Sequence, residues 1–320
     1  MVSRDRQMYH CFSSGQGGDV ISFLMLYEGL SFNEALQKLA ERAGIKLEAS
    51  GQDDDREAYL RRRVLELNEF AAKFYQRSLA DTTIGASGRA YLKTRGLRKE
   101  TEAQFGLGLA TEDWSRFYEA AVQKQFRDNE IMASGLARRG DRSIYDFFRN
   151  RLIVPIRDVS GNVVAFGGRD LGNGPAKYIN SPETAAYKKS RVLYGLYEAR
   201  EAMRRQQYAI LVEGYFDLMR CFDAGIENVV ATCGTALTEQ QAMLIKRYVP
   251  EVVVVYDGDD AGIRAAIKSI GILTAAGLTV RAMTPPDGKD PDDFIRDDGA
   301  EAFLAHIADA RDFVTFYIEM

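Results

Sequence analysis

The sequence predicts an α/β fold in which a parallel sheet flanked by helices follows a segment of mixed α and β structure. Beyond residue 205, helical stretches separate four short apolar runs, which lie at 208–212, 228–232, 252–256 and 279–283. Short strands that alternate with helices form a buried parallel sheet. Upstream, the apolar runs 152–156 and 163–166 flank a polar turn, which is the pattern of two paired strands.

The residues before this strand pair are predicted to be mostly helical. Residues 18–44 form a first helical piece that contains a capping box of Ser31 and Glu34. The polar residues 49–57 are expected to be a linker. Apolar side chains then recur at helical spacing over 59–79, which predicts a long amphipathic helix. Further helices are expected at 88–95, 99–105, 113–126, 215–224, 238–248 and 260–276.

Composition excludes several classes of protein. The 320 residues are 46% hydrophobic and 28% charged, an ordinary globular balance with room for about two domains. There is no run of about 18 apolar residues, so a membrane span and a membrane partner are not expected. The N-terminal residues contain no apolar signal region, and the three cysteines are scattered. These features predict a cytoplasmic protein.

Charge is unevenly distributed along the chain. The formal net charge is −4, but residues 138–205 carry +7 and residues 201–320 carry −9. A basic segment next to an acidic one predicts a phosphate-binding surface beside a cation site. An unevenly charged solvated surface explains the same counts equally well.

Acidic residues follow three strands of the predicted sheet. Glu213 follows the first strand, Asp257 and Asp259 follow the third, and Asp290 and Asp292 lie in the loop after the last. Ligands gather at the carboxyl ends of parallel strands, so the three sets should share one edge. Carboxylates held together repel unless a cation neutralises them, and Mg²⁺ is the first candidate. For Asp292 taken alone, a solvated loop is the simpler explanation.

These motifs resemble those of a known domain. Residues 213–217, 257–262 and 290–292 resemble the three motifs of the Toprim domain, which primases, topoisomerases and several nucleases share. The upstream segments also resemble one family, the RNA-polymerase domain of bacterial DnaG-type primases, at 91–97, 149–158, 167–169 and 177–184. The resemblance covers nearly the whole chain.

The resemblance implies a catalytic core that synthesises short RNA primers on single-stranded DNA during replication. Its substrates and partners would be the DNA template, ribonucleoside triphosphates and the RNA primer. Glu213, Asp257 and Asp259 would be the catalytic, metal-binding residues, with Asp290 and Asp292 completing a second site for Mg²⁺ or Mn²⁺. Whether Glu213 acts as a ligand or as a general base stays open.

The resemblance also assigns residues to template and nucleotide. For each basic residue taken alone, surface charge is an equally good explanation. The assigned residues are Arg95, Arg149, Arg151, Arg169, Lys177, Tyr178, Asn180 and Lys189.

Residues 9–19 resemble the end of the primase zinc ribbon, where a pair of cysteines normally supplies two ligands. Cys11 is present, but Ser14 occupies the second position. Because one thiolate does not make a structural zinc site, we expect no zinc in this chain. The family's helicase-binding domain would follow Met320, so a replicative helicase is expected as a partner only if that domain is present.

The predicted organisation has five parts. They are a zinc-ribbon remnant with helices at 1–48, a linker at 49–57, a basic subdomain at 58–205, a Toprim catalytic subdomain at 206–300 and a helical segment at 301–320. Two other functions remain open from the residues alone: a Toprim-family nuclease that uses the same metals, and a non-catalytic nucleic-acid-binding remnant.

Overall fold

The structure is a computed structural model. It describes residues 1–3, 7–11, 16–28, 30, 32–45, 52–141, 143–172, 174–234, 236–258, 260–312 and 315. The chain divides into two compact units, Met1–Ala58 and Tyr59–Met320. Within the described ranges, no helix combines the length and apolar character that crossing a membrane requires.

The first unit contains a small antiparallel sheet and two helices. Their bounds are Val2–Ser3 (β1), Met8–His10 (β2), Gly17–Gly18 (β3), Val20–Glu28 (α1) and Phe32–Ala43 (α2). The Tyr9 ring packs edge-on against Phe23, with ring centroids 5.3 Å apart. The helical piece predicted at 18–44 is therefore two helices, and Ser31 of the predicted capping box lies outside the described residues.

The second unit begins with helices and an antiparallel sheet. The helices are α3 (Gln52–Ala80, which starts in the first unit), α4 (Ala86–Arg95), α5 (Lys99–Gln104), α6 (Arg116–Gln123) and α7 (Asp128–Ala133). The strands are β4 (Gly108–Ala110), β5 (Ala137–Arg139), β6 (Ile144–Asp146), β7 (Arg151–Arg157), β8 (Val163–Asp170) and β9 (Tyr178–Asn180). Strands β4, β7, β8 and β9 pair in the order β4-β7-β8-β9, and β5 pairs with β6.

The apolar face of α3 forms much of this subdomain's core. Leu67, Ala71 and Tyr75 are buried in one cluster with Phe117 and Phe166. The amphipathic helix predicted over 59–79 is thus confirmed. The linker predicted at 49–57 is wrong from residue 52 onward, because α3 begins at Gln52. A run of aspartates is favourable in the first turn of a helix, where it faces the positive end of the helix dipole.

The Toprim-type subdomain follows, with the predicted parallel sheet. Its strands are β10 (Tyr208–Val212), β11 (Val229–Ala231), β12 (Glu251–Val255), β13 (Thr279–Met283) and β14 (Arg311–Asp312), in the order β11-β10-β12-β13-β14. Its helices are α8 (Leu196–Gln206), α9 (Tyr215–Asp223), α10 (Glu239–Lys246), α11 (Asp260–Ala275) and α12 (Pro291–Ala308). The first four strands are parallel, which confirms the predicted fold class.

The helical segment predicted from residue 301 agrees with the structure as far as Ala308. The range of α12 contains two helical pieces, because Gly299 has the non-helical angles φ 89° and ψ 166° between them. Glycine tolerates this positive φ, so the chain bends there before the second piece. Strand β14 then pairs antiparallel with β13, which the sequence did not predict.

One of two adjacent glycines in β8 brings the two subdomains together. A Cβ on Gly167 would lie 2.6 Å from the ring of Tyr215, and real Cβ atoms do not approach other atoms so closely. Gly167 therefore allows the start of α9 to pack directly on the antiparallel sheet. A Cβ on Gly168 would lie 2.6 Å from the ring of Phe148, so this glycine makes room within the antiparallel subdomain.

A buried ion pair ties α3 to α7. Glu130 is 2% exposed and accepts hydrogen bonds from Arg63 Nε at 2.8 Å and Arg63 Nη2 at 2.9 Å. Tyr59 Oη and the Arg127 amide donate to the same carboxylate. The hydrogen bonds from Arg63 lower the pKa of Glu130 to about 2.

We expect Glu130→Gln to lower the free energy of unfolding by about 2 kcal/mol at pH 7, because it removes the buried charge that pairs with Arg63 and leaves only the more exposed Glu66. The pKa of Glu130 is about 2 in the folded protein, which is below that of an ordinary glutamate. Its ionised carboxylate therefore stabilises the fold fully at any pH above the ordinary pKa, and this stabilisation is lost as the pH falls toward about 2. Urea unfolding of both proteins should show a constant difference above about pH 5 that narrows in more acidic buffer. A difference that widens on acidification would contradict the assignment.

Candidate active site

The carboxyl ends of two neighbouring strands place two acidic residues at one edge of the sheet. Strands β10 and β12 are parallel, and Leu211 pairs with Val254. Glu213 follows the end of β10 and Asp257 follows the end of β12. Both residues are half-buried. The predicted meeting of these two loops is therefore seen in the register of the strands.

The loop after β13 reaches the same edge. A Cβ on Gly258 would lie 2.9 Å from Gly288 Cα and 3.4 Å from the Pro285 carbonyl oxygen, so the two loops touch through their backbones. A Cβ on Gly262 would lie 2.3 Å from the Asp257 carbonyl oxygen, so α11 starts against the backbone of the acidic loop. These glycines permit contacts that any larger residue would prevent.

Asp217 is a member of this cluster that the motif analysis quoted but did not assign. It lies in the first turn of α9, is 8% exposed, and its Oδ2 accepts a hydrogen bond from the Gly214 amide at 2.9 Å. Burial, followed by the nearby charges of Asp290 and Asp257, raises the pKa of Asp217 to about 8. Its place four residues after Glu213, in the same motif, is the signal that could have identified it.

Asp290 completes the described part of the cluster. It caps the N-terminus of α12, where Oδ1 accepts a hydrogen bond from the Asp293 amide at 2.6 Å. Burial, followed by the charge of Asp293, raises its pKa above the ordinary value. An all-oxygen donor set in which the charges of Asp290 and Asp257 raise the pKa of Asp217 fits a hard divalent cation.

Asp259 and Asp292 are the remaining predicted metal ligands. Asp259 lies outside the described residues. Asp292 is 1% exposed, and its carboxylate is engaged by Arg220 Nε at 2.7 Å and by Arg95 Nη1 at 3.0 Å. Among the residues that the structure describes, no three His, Cys, Asp or Glu side chains form a ready-made metal cage. The metal-binding role of Asp292 stays a prediction.

The antiparallel subdomain contributes an arginine held between aromatic rings. The guanidinium of Arg169 lies 5.5 Å from the ring centroid of Tyr91 and 5.3 Å from that of Tyr178. Its Nε donates to Tyr91 Oη at 3.1 Å. Burial raises the pKa of Tyr178 above its ordinary value, so this ring stays neutral. The aromatic contacts restrain a cation at the end of β8.

Asn180 connects this surface to the acidic edge. Tyr215 Oη donates to Asn180 Oδ1 at 2.8 Å, and Asn180 Nδ2 donates to the Cys233 carbonyl at 2.9 Å. The Cys233 amide in turn donates to the Glu213 carbonyl at 2.8 Å. Lys189 lines an open pocket beside Asn180, Tyr215 and Cys233. Two successive hydrogen bonds through the backbone of Cys233 therefore link β9 to the backbone of Glu213.

The remaining predicted basic residues have different environments. Lys177 is exposed. Arg151 is 7% exposed, and its Nη1 donates to the carbonyls of Gly168 at 3.0 Å and Ala176 at 3.1 Å. These contacts give Arg151 a role in holding the loop between β8 and β9, and its assignment to a phosphate stays a prediction.

Arg149 lies against an aromatic surface that was not predicted from the sequence. Its guanidinium lies 4.4 Å from the ring centroid of Trp114 and 5.2 Å from that of Tyr145, and Trp114 is 66% exposed. Nearby in the chain, the exposed Arg138 lies 4.7 Å from the ring centroid of Phe147. The basic and aromatic residues that occur together over 138–149 were the available signal for the part that contains Arg138, Tyr145, Phe147 and Arg149.

Comparisons with known proteins agree with this architecture. Three family models match: the N-terminal domain of the DNA primase catalytic core at residues 74–200, a Toprim-like domain at 210–295 and a CHC2 zinc finger at 1–55. The zinc-finger match agrees with the resemblance of residues 9–19 to a zinc ribbon. Ser14 lies outside the described residues, and the absence of zinc stays a prediction.

Individual relatives extend the similarity over the whole chain. The DNA primase of Halalkalibacterium halodurans is 42% identical over 304 residues, which cover 94% of this chain and 51% of that protein. The zinc-binding and RNA polymerase domains of Aquifex aeolicus primase share 36% identity with a TM-score of 0.74, covering 100% of this chain and 77% of that one. A DnaG primase catalytic domain bound to single-stranded DNA shares 36% identity with a TM-score of 0.75, covering 82% of this chain and 83% of that one.

The sheet order and the acidic edge define a Toprim-containing protein with an adjoining basic subdomain. With these relatives, the chain belongs to the family of DnaG-type primase catalytic cores. It spans about half the length of the curated relatives that it matches.

The carboxylate cluster makes a prediction that does not depend on activity. Asp257→Asn should weaken Mn²⁺ binding at least about tenfold, because it removes a charged ligand. Without metal, the variant should be as stable as the parent or more stable by up to about 1 kcal/mol, because one negative charge is removed from the clustered carboxylates.

Electron paramagnetic resonance of free Mn²⁺ and urea unfolding without metal measure the two effects. Asp309→Asn is the matched control, since Asp309 is an exposed carboxylate at the far end of α12. Equal Mn²⁺ affinity in Asp257→Asn and the control would remove Asp257 from the site.

Proposed function

We propose that this chain synthesises short RNA primers on single-stranded DNA by divalent-metal-dependent nucleotidyl transfer in DNA replication. Support comes from the primase relatives that match almost its whole length. A similar DnaG primase catalytic domain is bound to single-stranded DNA. The proposal includes the template, ribonucleoside triphosphates and the growing primer as ligands, and a cytoplasmic location.

The observation that carries the proposal is the meeting of acidic and basic surfaces. Strands β10 and β12 end side by side, and the loops that contain Gly258 and Gly288 touch, which supports a shared edge for Glu213, Asp257 and Asp290. Asn180 connects the strand that bears Tyr178 to the loop beside Glu213. The proposed cation site therefore adjoins the proposed phosphate site, as transfer of a nucleotide requires.

Glu213, Asp257 and Asp259 are proposed to hold divalent ions, with Asp290 next to them. Mg²⁺ or Mn²⁺ would neutralise the charge that develops on the reacting oxygens. Asp217 carries a proton near neutral pH while no cation compensates its neighbours, because its pKa is about 8. The protein contributes by holding these ligands in position, because the strands that they follow are buried.

The basic residues divide into two groups by environment. Arg169 and Tyr178 lie at the antiparallel sheet end nearest α9, and with the exposed Lys177 they are proposed to bind nucleotide phosphates. Arg149, over Trp114, is proposed to bind the template, because exposed aromatic rings stack on bases while arginine pairs with phosphates. A replicative helicase is proposed as a partner only for a longer chain that carries a helicase-binding domain.

The decisive experiment incubates the chain with single-stranded DNA, labelled ribonucleotides and Mg²⁺ or Mn²⁺. We expect short RNA products that require both template and metal, and Glu213→Gln should reduce them at least about a hundredfold. A parallel reaction with labelled DNA and no nucleotides separates the alternatives. Cleavage of DNA without RNA synthesis would indicate a Toprim nuclease, and binding without either product would indicate a non-catalytic protein.

The template assignment predicts a distinctive salt dependence. Arg149→Ala should lower the slope of log affinity for single-stranded DNA against log salt by about 0.7, because one phosphate contact is lost. Trp114→Ala should weaken binding by about 1 to 3 kcal/mol with little change in slope, because base stacking releases no counterions.

Fluorescence anisotropy over a series of salt concentrations measures both quantities. Arg62→Ala is the control, since Arg62 is an exposed arginine on α3 that also lies over a ring, that of Tyr59. If both variants bind DNA as the Arg62 variant does, the aromatic surface does not contact the template.

A further inference from the structure

We propose that Arg220 is a positioning residue of the active site. Through its ion pair with Asp292, it fixes the first turn of α12, and with it Asp290, against α9. The effect of Arg220 on the edge carboxylates would be transmitted through Asp292, whose carboxylate it contacts directly.

The contacts of Arg220 are buried and directional. Its side chain is 9% exposed, and Nε donates to Asp292 Oδ1 at 2.7 Å. Its other nitrogens donate to the backbone carbonyls of Arg95 and Gly96, at the end of α4. One guanidinium thus joins three elements, α9, α12 and the end of α4.

A second carboxylate balances the charges. Arg220 Nη1 lies 3.5 Å from Asp223 Oδ2, and Asp223 Oδ1 accepts hydrogen bonds from the Arg98 amide at 2.9 Å and from Thr101 Oγ1 at 2.6 Å. Arg95 supplies the second cation, over the ring of Phe216 at 4.4 Å. Arg95 and Arg220 therefore face two aspartates, and the exposed Arg98 pairs with Asp223 from the solvent side. A buried network persists only when its charges are compensated in this way.

The geometry of α12 explains why this pair matters for the acidic edge. Asp290 is the N-cap, Pro291 is the first helical residue, and Asp292 follows it. Residues two apart in a helix point in nearly opposite directions. Asp290 therefore stays with the edge carboxylates while Asp292 is held by Arg95 and Arg220.

The same pair also connects the two ends of the cluster. α9 carries Asp217 in its first turn and Arg220 one turn later, while α12 carries Asp290 and Asp292. A bond between Arg220 and Asp292 sets the spacing of the two helices next to the carboxylates Asp217 and Asp290. Loosening that bond should widen the cation site without removing any ligand.

The test is a double-mutant cycle in which Mn²⁺ affinity is measured first and primer synthesis second. Arg220→Met and Asp292→Asn should each weaken Mn²⁺ binding by about tenfold, the usual cost of losing a residue that orients ligands. The double variant should be no weaker than the worse single variant, because both changes break one bond. Arg220→Lys should recover part of the affinity, since it keeps the charge but cannot make all the contacts.

Arg281→Met is the matched control. Arg281 pairs with Glu251 through Nη2 at 2.6 Å, at the amino end of the same sheet. The two side chains are 27% and 30% exposed. Its loss should leave Mn²⁺ affinity unchanged. Circular dichroism verifies folding, and if Arg220→Met does not fold, the comparison of Arg220→Lys with the parent decides.

The opposite result follows if Asp292 is itself a metal ligand. Arg220→Met would then leave Mn²⁺ affinity unchanged or increase it, because the carboxylate is released, while Asp292→Asn alone would weaken it. That outcome, or an Arg220→Lys variant that folds and binds Mn²⁺ as the parent does, would overturn the proposal. The activity readout rests on the proposed function, but Mn²⁺ binding does not, so an absence of primer synthesis in the parent chain would leave this test intact.

Discussion

Repulsion among the carboxylates at the carboxyl end of the parallel sheet is the constraint on which the surrounding structure depends. Asp217 shows its strength, since burial and the charges of Asp290 and Asp257 raise its pKa to about 8. The backbone holds the cluster together, because Gly258 and Gly262 allow loop contacts too close for a side chain. A cation would relieve this repulsion. The repulsion that destabilises the carboxylates at this edge is therefore also the source of their affinity for metal.

The basic subdomain is fixed to this edge by contacts of a different kind. Gly167 lets the ring of Tyr215 lie on β8, and Asn180 connects Tyr215 to the carbonyl of Cys233. These contacts are buried, short and mostly uncharged, so salt screens them little. The charged residues above them, such as Arg169, are instead held by aromatic rings and remain able to meet phosphates.

The parts predicted correctly from sequence are those in which local pattern and burial agree. The strands 208–212 and 279–283 were predicted with their observed bounds, because each is a short run rich in apolar residues that ends at a polar one, Glu213 or Thr284. Trp114 was missed because its contact with Arg149 joins residues far apart in the chain. The start of α3 at Gln52 was missed because acidic residues suit a helix start as well as a loop.

Asp290 and Asp292 show most clearly which feature of the site the sequence analysis left out. Both were assigned to metal because residues 290–292 resemble the third Toprim motif, and this assignment stays a prediction. Here Pro291 starts a helix directly after Asp290, so the two carboxylates diverge. An aspartate followed by proline is itself a pattern typical of a helix N-terminus, and the divergence was therefore predictable. The partner of Asp292 was not, because Arg220 lies 72 residues away and meets it only when α9 packs against α12.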